Sequence, residues 1–429
     1  MPTRRDFLSA SATLAVVGVR KRPDDSVPEQ NPAPASIAAL KSMKDQMRPI
    51  TGDERRLRIE KARRLMTEKK SDALFLAGGT SLKYFTNVDW GTSERMFAVV
   101  IPRTGRSFVV CPYFERDRAM EQINSGPLAK DADIMTWNED ESPSRLVAEG
   151  LKARGIATGQ IAVEETVRFV FSDGVGQAAP GMKVVSGTSI TAGCRMVKSK
   201  AELDLMRLAA AVTLKAYEAA YRALKPGLNQ NDFAGLVRQA HEKLGFAGGA
   251  GVQVGEYSAL PHGSITPQVI KEGTILLIDG GCKVDGYESD ISRTFVLGKP
   301  TDKMKKVFDI ELRAQTAAVK TARPGLPCEA VDAAARKVIV DAGYGPDYKY
   351  FTHRVGHGMG MDGHEWPYLV RGNKLPLQAG MTFSDEPGIY IPGEFGIRLE
   401  DDMIITENGA ELMTPQSPSL EDPFGRVAS

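Results

Sequence analysis

LLIDGGCKVDGYESDISRTF, Leu276–Phe295, is the stretch whose reading decides the fold. It reads as two strands, and Asp285-Gly286 between them signals a two-residue hairpin turn, whose central positions need positive φ. With the turn placed there, Ile278 opposes Arg293, Asp279 opposes Ser292, and Asp290 lies diagonal to Asp279. Side chains two apart share a face, and diagonal neighbours sit about 7–8 Å apart. Both carboxylates then project to one side of the hairpin with room for ions between them.

A second hairpin reads from MTFSDEPGIYIPGEFGIRLEDDMIIT, Met381–Thr406. A three-residue Pro392-Gly393-Glu394 loop places Glu386 opposite Glu400, again on one face. Four carboxylates brought together without partners repel and raise one another's pKa, and cations are the natural remedy. The chain has five histidines, and three of them, His353, His357 and His364, fall within THRVGHGMGMDGHE among glycines that permit close backbone approach. A fourth, His262, stands in LPHG. The fifth, His241, reads as an ordinary residue on the exposed side of an amphipathic helix. Arg398 precedes Glu400 by two, so strand alternation puts it on the same face. It either grips a substrate carboxylate or pairs with one of these carboxylates and holds it in place.

Outward from the hairpins the sequence repeats weakly. KPGLNQNDFAGLVRQAHEKLGF from Lys225 and RPGLPCEAVDAAARKVIVDAGY from Arg323 share a basic residue, Pro-Gly-Leu, a helix of one length and a Gly-aromatic end. Each precedes one two-carboxylate hairpin, so the carboxyl-terminal half reads as a duplicated helix-plus-hairpin unit. Ser199 and Glu202 have capping-box spacing ahead of a long helix, and a domain boundary near residue 190 follows. Between residues 51 and 190 a charged helix over Glu54–Ser71 and the strands DALFLAGG, MFAVVIP, RSFVVCP and QIAVEE predict an α/β domain. It has no histidine and no convincing phosphate loop, so the chemistry is expected in residues 191–429.

The first 22 residues read as an address. Thr3-Arg4-Arg5-Asp6-Phe7-Leu8 followed by SATLAVVGV resembles a twin-arginine signal, with Arg20-Lys21-Arg22 closing it and a small-residue site at Ala33–Ala35. The expectation is export to the periplasm or another extracytoplasmic space, the competing reading being a chance basic terminus on a cytoplasmic protein. The apolar run is too short to span a bilayer as a mature helix. Residues 23–50, rich in Pro and Ala, are expected to be a linker. At 429 residues, 42% hydrophobic and 25% charged, the chain suits two globular domains. Its 55 basic residues nearly cancel 54 acidic ones, which gives no field to attract nucleic acid. Cys111, Cys194, Cys282 and Cys328 lack metal spacing and read as buried small residues.

Asp279, Asp290, His357, Glu386 and Glu400, in that order and context, resemble the five metal ligands of the pita-bread metallopeptidases, the superfamily of methionine aminopeptidase, aminopeptidase P and prolidase. YFTNVDWGTSERMFAVVIP, CRMVKSKAELDLMR and SDEPGIYIPGEFGIRLEDD place it in the prolidase, aminopeptidase P and creatinase branch, which carries an additional amino-terminal domain. The resemblance implies two divalent ions, with Asp279 chelating one, His357 completing the other, and Asp290 and Glu400 bridging. It implies Glu386 as proton shuttle, His262 and His364 at the carbonyl oxygen, and His353 lining the pocket. Oxygen-rich ligation with one imidazole favours Mn²⁺, with Co²⁺ or Zn²⁺ also fitting. Cleavage of small peptides with proline in second place, by a homodimer, is the expected activity. The alternatives are a creatinase-like hydrolase of another small amide or amidino compound and a binding protein on the same fold.

Overall fold

The computed structural model describes residues 33–425; the twin-arginine-like segment and the first part of the expected linker lie outside the described residues. Six short apolar runs form the first sheet: β1 (Ala73–Ala77), β2 (Ala98–Pro102), β3 (Ser107–Pro112), β4 (Ala132–Trp137), β5 (Gly159–Val163) and β6 (Met182–Ser186). Their order is β4-β3-β2-β1-β5-β6, with β1–β2 and β2–β3 antiparallel and the other pairs parallel. Alternate residues of the central strands feed two different cores. Leu74, Leu76, Val99 and Ile101 enter one, and Ala73, Phe75, Ala98 and Val100 the other. Burial on both faces is why these strands read as unbroken apolar runs. The expected boundary near residue 190 falls inside the helix Thr188–Arg195, and the next domain opens with the helix Lys200–Tyr221, whose Ser199–Glu202 capping box is formed.

The second domain holds β7 (Gly248–Val254), β8 (Ile275–Val284), β9 (Tyr287–Glu288) and β10 (Ile291–Val296), then β11 (Gly356–Gly358), β12 (Glu365–Leu369), β13 (Thr382–Asp385), β14 (Gly388–Ile391), β15 (Phe395–Arg398), β16 (Asp401–Ile405) and β17 (Ala410–Leu412). One sheet runs β10-β8-β7, another β12-β11-β13-β16-β17, and β14 pairs β15. The internal repeat is structural. Gly227 and Gly325, at φ 92° and 83°, make the same turn, each donating its N–H at 2.9 Å, to Ile270 O and Leu377 O respectively. Ile270 and Leu377 return N–H bonds to Leu228 O and Leu326 O, both at 2.8 Å. The helices Lys200–Tyr221 and Gln230–Leu244 pack on the β10-β8-β7 sheet, and Asp302–Thr321 with Cys328–Asp341 pack on the second hairpin.

Two expectations are corrected. Residues 33–50 are no free linker: Ile37, Met43 and Ile50 are buried, the Ser36 hydroxyl donates to Ala219 O, and Ile50 N–H donates to Asp285 Oδ2. Three well-spaced apolar side chains among Pro and Ala are enough to dock the segment. His241 is not exposed but fully buried, its Nδ1 2.9 Å from Val237 O, and burial lowers its pKa. Strand β7 lies over it, and a Cβ at Gly248 would fall 2.5 Å from its ring. The helical pattern shows which face is polar but not that a strand covers it. All four cysteines are buried, as read.

Candidate metal centre

The first hairpin has the register read from its turn: Asp279 pairs with Ser292 and Ile278 with Arg293, and Asp285 and Gly286 take φ of 49° and 88°. In the second, Ile391 pairs with Phe395, Gly388 with Arg398, and Asp385 with Asp401. One register runs through both segments, so Glu386 faces Glu400 at the break between them. A buried cation joins the hairpins. Arg293 donates from Nη1 to Glu400 O (2.8 Å) and from Nη2 to Asp401 Oδ1 (2.7 Å), with both side chains fully inaccessible. Asp402 accepts the N–H of Asp290 at 3.1 Å, and Ser292 O accepts that of Glu400 at 3.2 Å. These bonds set Asp290 against Glu400.

Ligand atoms of Asp279, Asp290 and Glu400 lie within 4.8 Å of one another, as do those of His357, Glu386 and Glu400. The two groups share Glu400, and a third, Asp290 with His357 and His364, bridges them. That overlap is the form of a two-ion donor set. The residues also fit cations on electrostatic grounds. Burial, then repulsion from Asp279, Glu386 and Asp402, raises the pKa of Asp290 well above the usual range. Burial, with the charges of Asp290, Glu386 and Asp279, does the same to Glu400. The His357 Nδ1 is 3.2 Å from Gly358 O, so it carries the proton, leaving the Nε2 lone pair 3.1 Å from Glu386 Oε1. Two lone pairs at that distance need a positive charge between them.

A cavity of about 360 Å³ opens over these groups, lined also by His262, His353, His364, Arg354 and Arg398. All four histidines expected at the site therefore reach it. His364 stacks on His357, ring centres 3.7 Å apart, and the Arg354 Nη2 is 3.3 Å from its Nδ1. Guanidinium only donates, so His364 presents Nε2–H. His353 accepts at Nε2 from the Tyr390 hydroxyl (2.8 Å), since its Nδ1 donates to Arg354 O. Arg398 corrects an expectation. Its Nε donates to Ser292 Oγ (3.0 Å), Nη1 to Tyr390 (2.9 Å) and Pro261 O (3.2 Å), and Nη2 to Asp279 Oδ2 (2.6 Å). Committed to the protein on all three nitrogens, it holds Asp279 rather than gripping substrate.

Sequence reasoning passed over Tyr390, Ser384 and Arg354. Ser384 accepts the N–H of His357 (3.0 Å) and donates to Glu386 Oε1 (3.1 Å), fixing one candidate ligand against another. Tyr390 and Ser384 sit at even spacing from Glu386, so alternation had the signal for both. Arg354 stands in the quoted histidine stretch, but nothing in spacing says which way it turns.

Paired hairpins, each backed by two helices and together presenting four carboxylates, with the His357 imidazole of β11 beside them, define a pita-bread metal-dependent hydrolase. Residues 204–407 match the model of metallopeptidase family M24, and residues 58–197 that of the Creatinase/Prolidase N-terminal domain. The chain is 31% identical to an Xaa-Pro dipeptidase of Lactobacillus helveticus over 85% of this chain and 98% of that one. It superposes on the dipeptidase PepE of Mycobacterium ulcerans with a TM-score of 0.81 at 33% identity, covering 87% of this chain and 99% of that one. The X-Pro aminopeptidase of Thermotoga maritima gives 0.72 at 26% identity, covering 85% and 99% respectively. The chain belongs to metallopeptidase family M24.

Proposed function

We propose that this metallopeptidase hydrolyses Xaa-Pro peptide bonds in small peptides, with Asp279, Asp290, His357, Glu386 and Glu400 holding two divalent ions. The observation that carries this is the pair of donor groups sharing Glu400; the named relatives supply the substrate class. Oxygen-rich donors favour Mn²⁺ over Co²⁺ or Zn²⁺. Ions so held make a water nucleophilic near neutral pH and offset charge growing on the substrate's carbonyl oxygen.

The chain's own groups do the rest. Burial pushes the Glu386 carboxyl up, but the charge of Arg398, with the ions these residues would hold, keeps it below its ordinary range. It is therefore ionised at neutral pH, able to take the proton of the attacking water and return it to the departing proline nitrogen. The His364 Nε2–H and His262 on the same wall are the donors for the carbonyl oxygen. Arg398, through Ser292 and directly, orients Asp279. The complete donor set argues against a metal-free creatinase-like reaction and against a purely binding role.

His357→Ala tests the centre. We expect loss of Ala-Pro hydrolysis and of at least one ion per chain by emission spectroscopy, with far-ultraviolet circular dichroism near the parent's, because the hairpin ladders do not involve the imidazole. Full activity with two ions retained would remove the donor set.

Export and dimerisation belong to the same proposal. The Arg4-Arg5 motif supports export, and Arg4→Lys with Arg5→Lys is expected to leave the protein in the cytoplasm; unchanged extracytoplasmic yield refutes it. No helix among the described residues is long and apolar enough to cross a membrane. Exposed Tyr113, Phe114, Phe169 and Val170, joined through Arg95 over Phe114 and the Arg168 bond to Ser93 O, support a partner surface.

A further inference from the structure

Resting on the Xaa-Pro reading, we propose that Asp332 and Arg336 are positioning residues for substrate: from a helix outside the catalytic cavity, they shape the wall that sets substrate affinity. They lie on the helix Cys328–Asp341, none of whose residues lines that cavity. The wall comes from residues 342–355, which form no helix or strand. This segment nevertheless supplies Tyr348, His353 and Arg354 to the cavity lining. A packed stretch without a ladder of its own leaves carbonyl oxygens that need donors from elsewhere, and Phe351 within it is fully buried.

One guanidinium supplies those donors. Arg336, 5% exposed, donates from Nη1 to Phe351 O (2.9 Å) and Asp347 O (3.3 Å), and from Nη2 to His353 O (2.8 Å). Its Nε and Nη2 also bond the two oxygens of Asp332, one helical turn earlier, both at 3.0 Å. Every N–H group of the guanidinium is thereby used. Asp332 Oδ1 accepts the N–H of Val355 as well (2.9 Å), so the pair pins the segment at 347, 351, 353 and 355. The guanidinium carbon lies 4.4 Å from the centre of the Tyr348 ring, itself part of the wall. His353 therefore has its ring fixed by Tyr390 and its backbone by Arg336. The five candidate metal donors lie outside the segment, and Ser384 holds His357 and Glu386 without help from the pair. Loosening the pair moves the wall before it moves the donors, and the loss falls on KM. A second cavity, of about 650 Å³, borders the pair, with Asp332, Arg336, Asp347 and Arg371 in its lining. It gives a small cation access to the place of the guanidinium.

The test uses the full chain loaded with Mn²⁺, with Ala-Pro as substrate and proline as a ligand that is not turned over. In Arg336→Ala, KM for Ala-Pro and the calorimetric Kd for proline are expected to rise together by about tenfold or more, with kcat changed by less than about threefold and the ion content of the parent. Millimolar methylguanidinium, entering by the second cavity, should bring both constants back towards those of the parent and leave the parent itself unchanged. Arg336→Lys keeps the charge but has too few donors for the acceptors around it, so its constants should rise too, without a response to methylguanidinium. Parent-like KM and Kd in either variant overturn the proposal, as does a loss carried by kcat or by missing ions. An Ala variant that methylguanidinium leaves unchanged also overturns it, since a merely loosened fold has no place for the cation. If the Ala variant does not fold, KM and Kd of the Lys variant decide. A metal-loaded parent that cleaves no Ala-Pro defeats the Xaa-Pro reading itself, and this proposal with it.

Discussion

The guanidinium of Arg398 lines the cavity but is bonded to the protein through all three nitrogens. Arg398 is buried among Asp279, Ser292 and Tyr390, so its effect should appear in metal affinity before substrate affinity. Arg398→Lys replaces a planar fork by a point charge that cannot reach Asp279, Ser292 and Tyr390 together. We expect the metal concentration for half-maximal activity to rise about ten- to hundredfold, the usual cost of losing a group that orients a ligand. KM for Ala-Pro at saturating metal should change little; a rise confined to KM would return Arg398 to the substrate side.

At the scale of the element, the loop 359–364 between β11 and β12 is the one that delivers His364, and the amino-terminal domain fastens it. Glu365 Oε1 accepts the N–H of Met361 (2.8 Å) and Asp362 (3.0 Å), and Lys198 binds its other oxygen (3.2 Å). Arg195, at the end of the first domain, binds Glu365 and Asp362 and donates from Nη1 to Ser81 Oγ (3.2 Å). Burial pushes Glu365 up, but Lys198 and Arg195 outweigh it and hold the carboxyl at about 2, against an ordinary 4.5. The folded value is depressed, so the stabilisation is complete above about 4.5 and is lost as pH falls through about 2, amounting to on the order of 3 kcal/mol at neutrality. Glu365→Gln should therefore lower unfolding free energy at pH 7 by that order, and the gap from the parent should close as pH is lowered from 4.5 towards 2. A gap independent of pH in urea titrations would assign the loop's stability to packing alone.

Across the whole molecule, one hydrophobic core is continuous between the domains, taking Ile59, Leu74 and Leu76 from the first and Leu205, Ala209 and Val284 from the second. A buried polar knot sits beside it. Arg58 donates to the Tyr287 hydroxyl (3.0 Å), which donates to Glu202 (2.8 Å), while Arg58 lies 3.4 Å from Glu202 and over the Tyr84 ring. Tyr287 belongs to the first carboxylate hairpin, so the amino-terminal domain braces the strands that carry Asp279 and Asp290. Removing one member of a buried ion pair costs about 3–5 kcal/mol, because the other is left uncompensated. Arg58→Met should lower the urea midpoint correspondingly and soften both domains together; separate transitions with the second domain unchanged would show that the interface carries no coupling.

The sequence by itself determined what is local. The Asp285-Gly286 turn and the Pro392-Gly393-Glu394 loop set both hairpin registers, and register alone says which side chains share a face. The repeated Pro-Gly-Leu turns and the Ser199–Glu202 box are legible for the same reason: each is specified by residues within a few positions of one another. Strands β4 and β6 were missed, being more weakly patterned, with mixed burial along their length. What only the tertiary structure decided is how surfaces meet. That Arg293 locks one hairpin to the other, that a strand covers His241, that residues 33–50 dock, and that Arg398 is spent on Asp279, all depend on neighbours far away in the chain. Periodicity gives a side chain its face, but the partner waiting on that face is set by packing between elements, which no local pattern encodes.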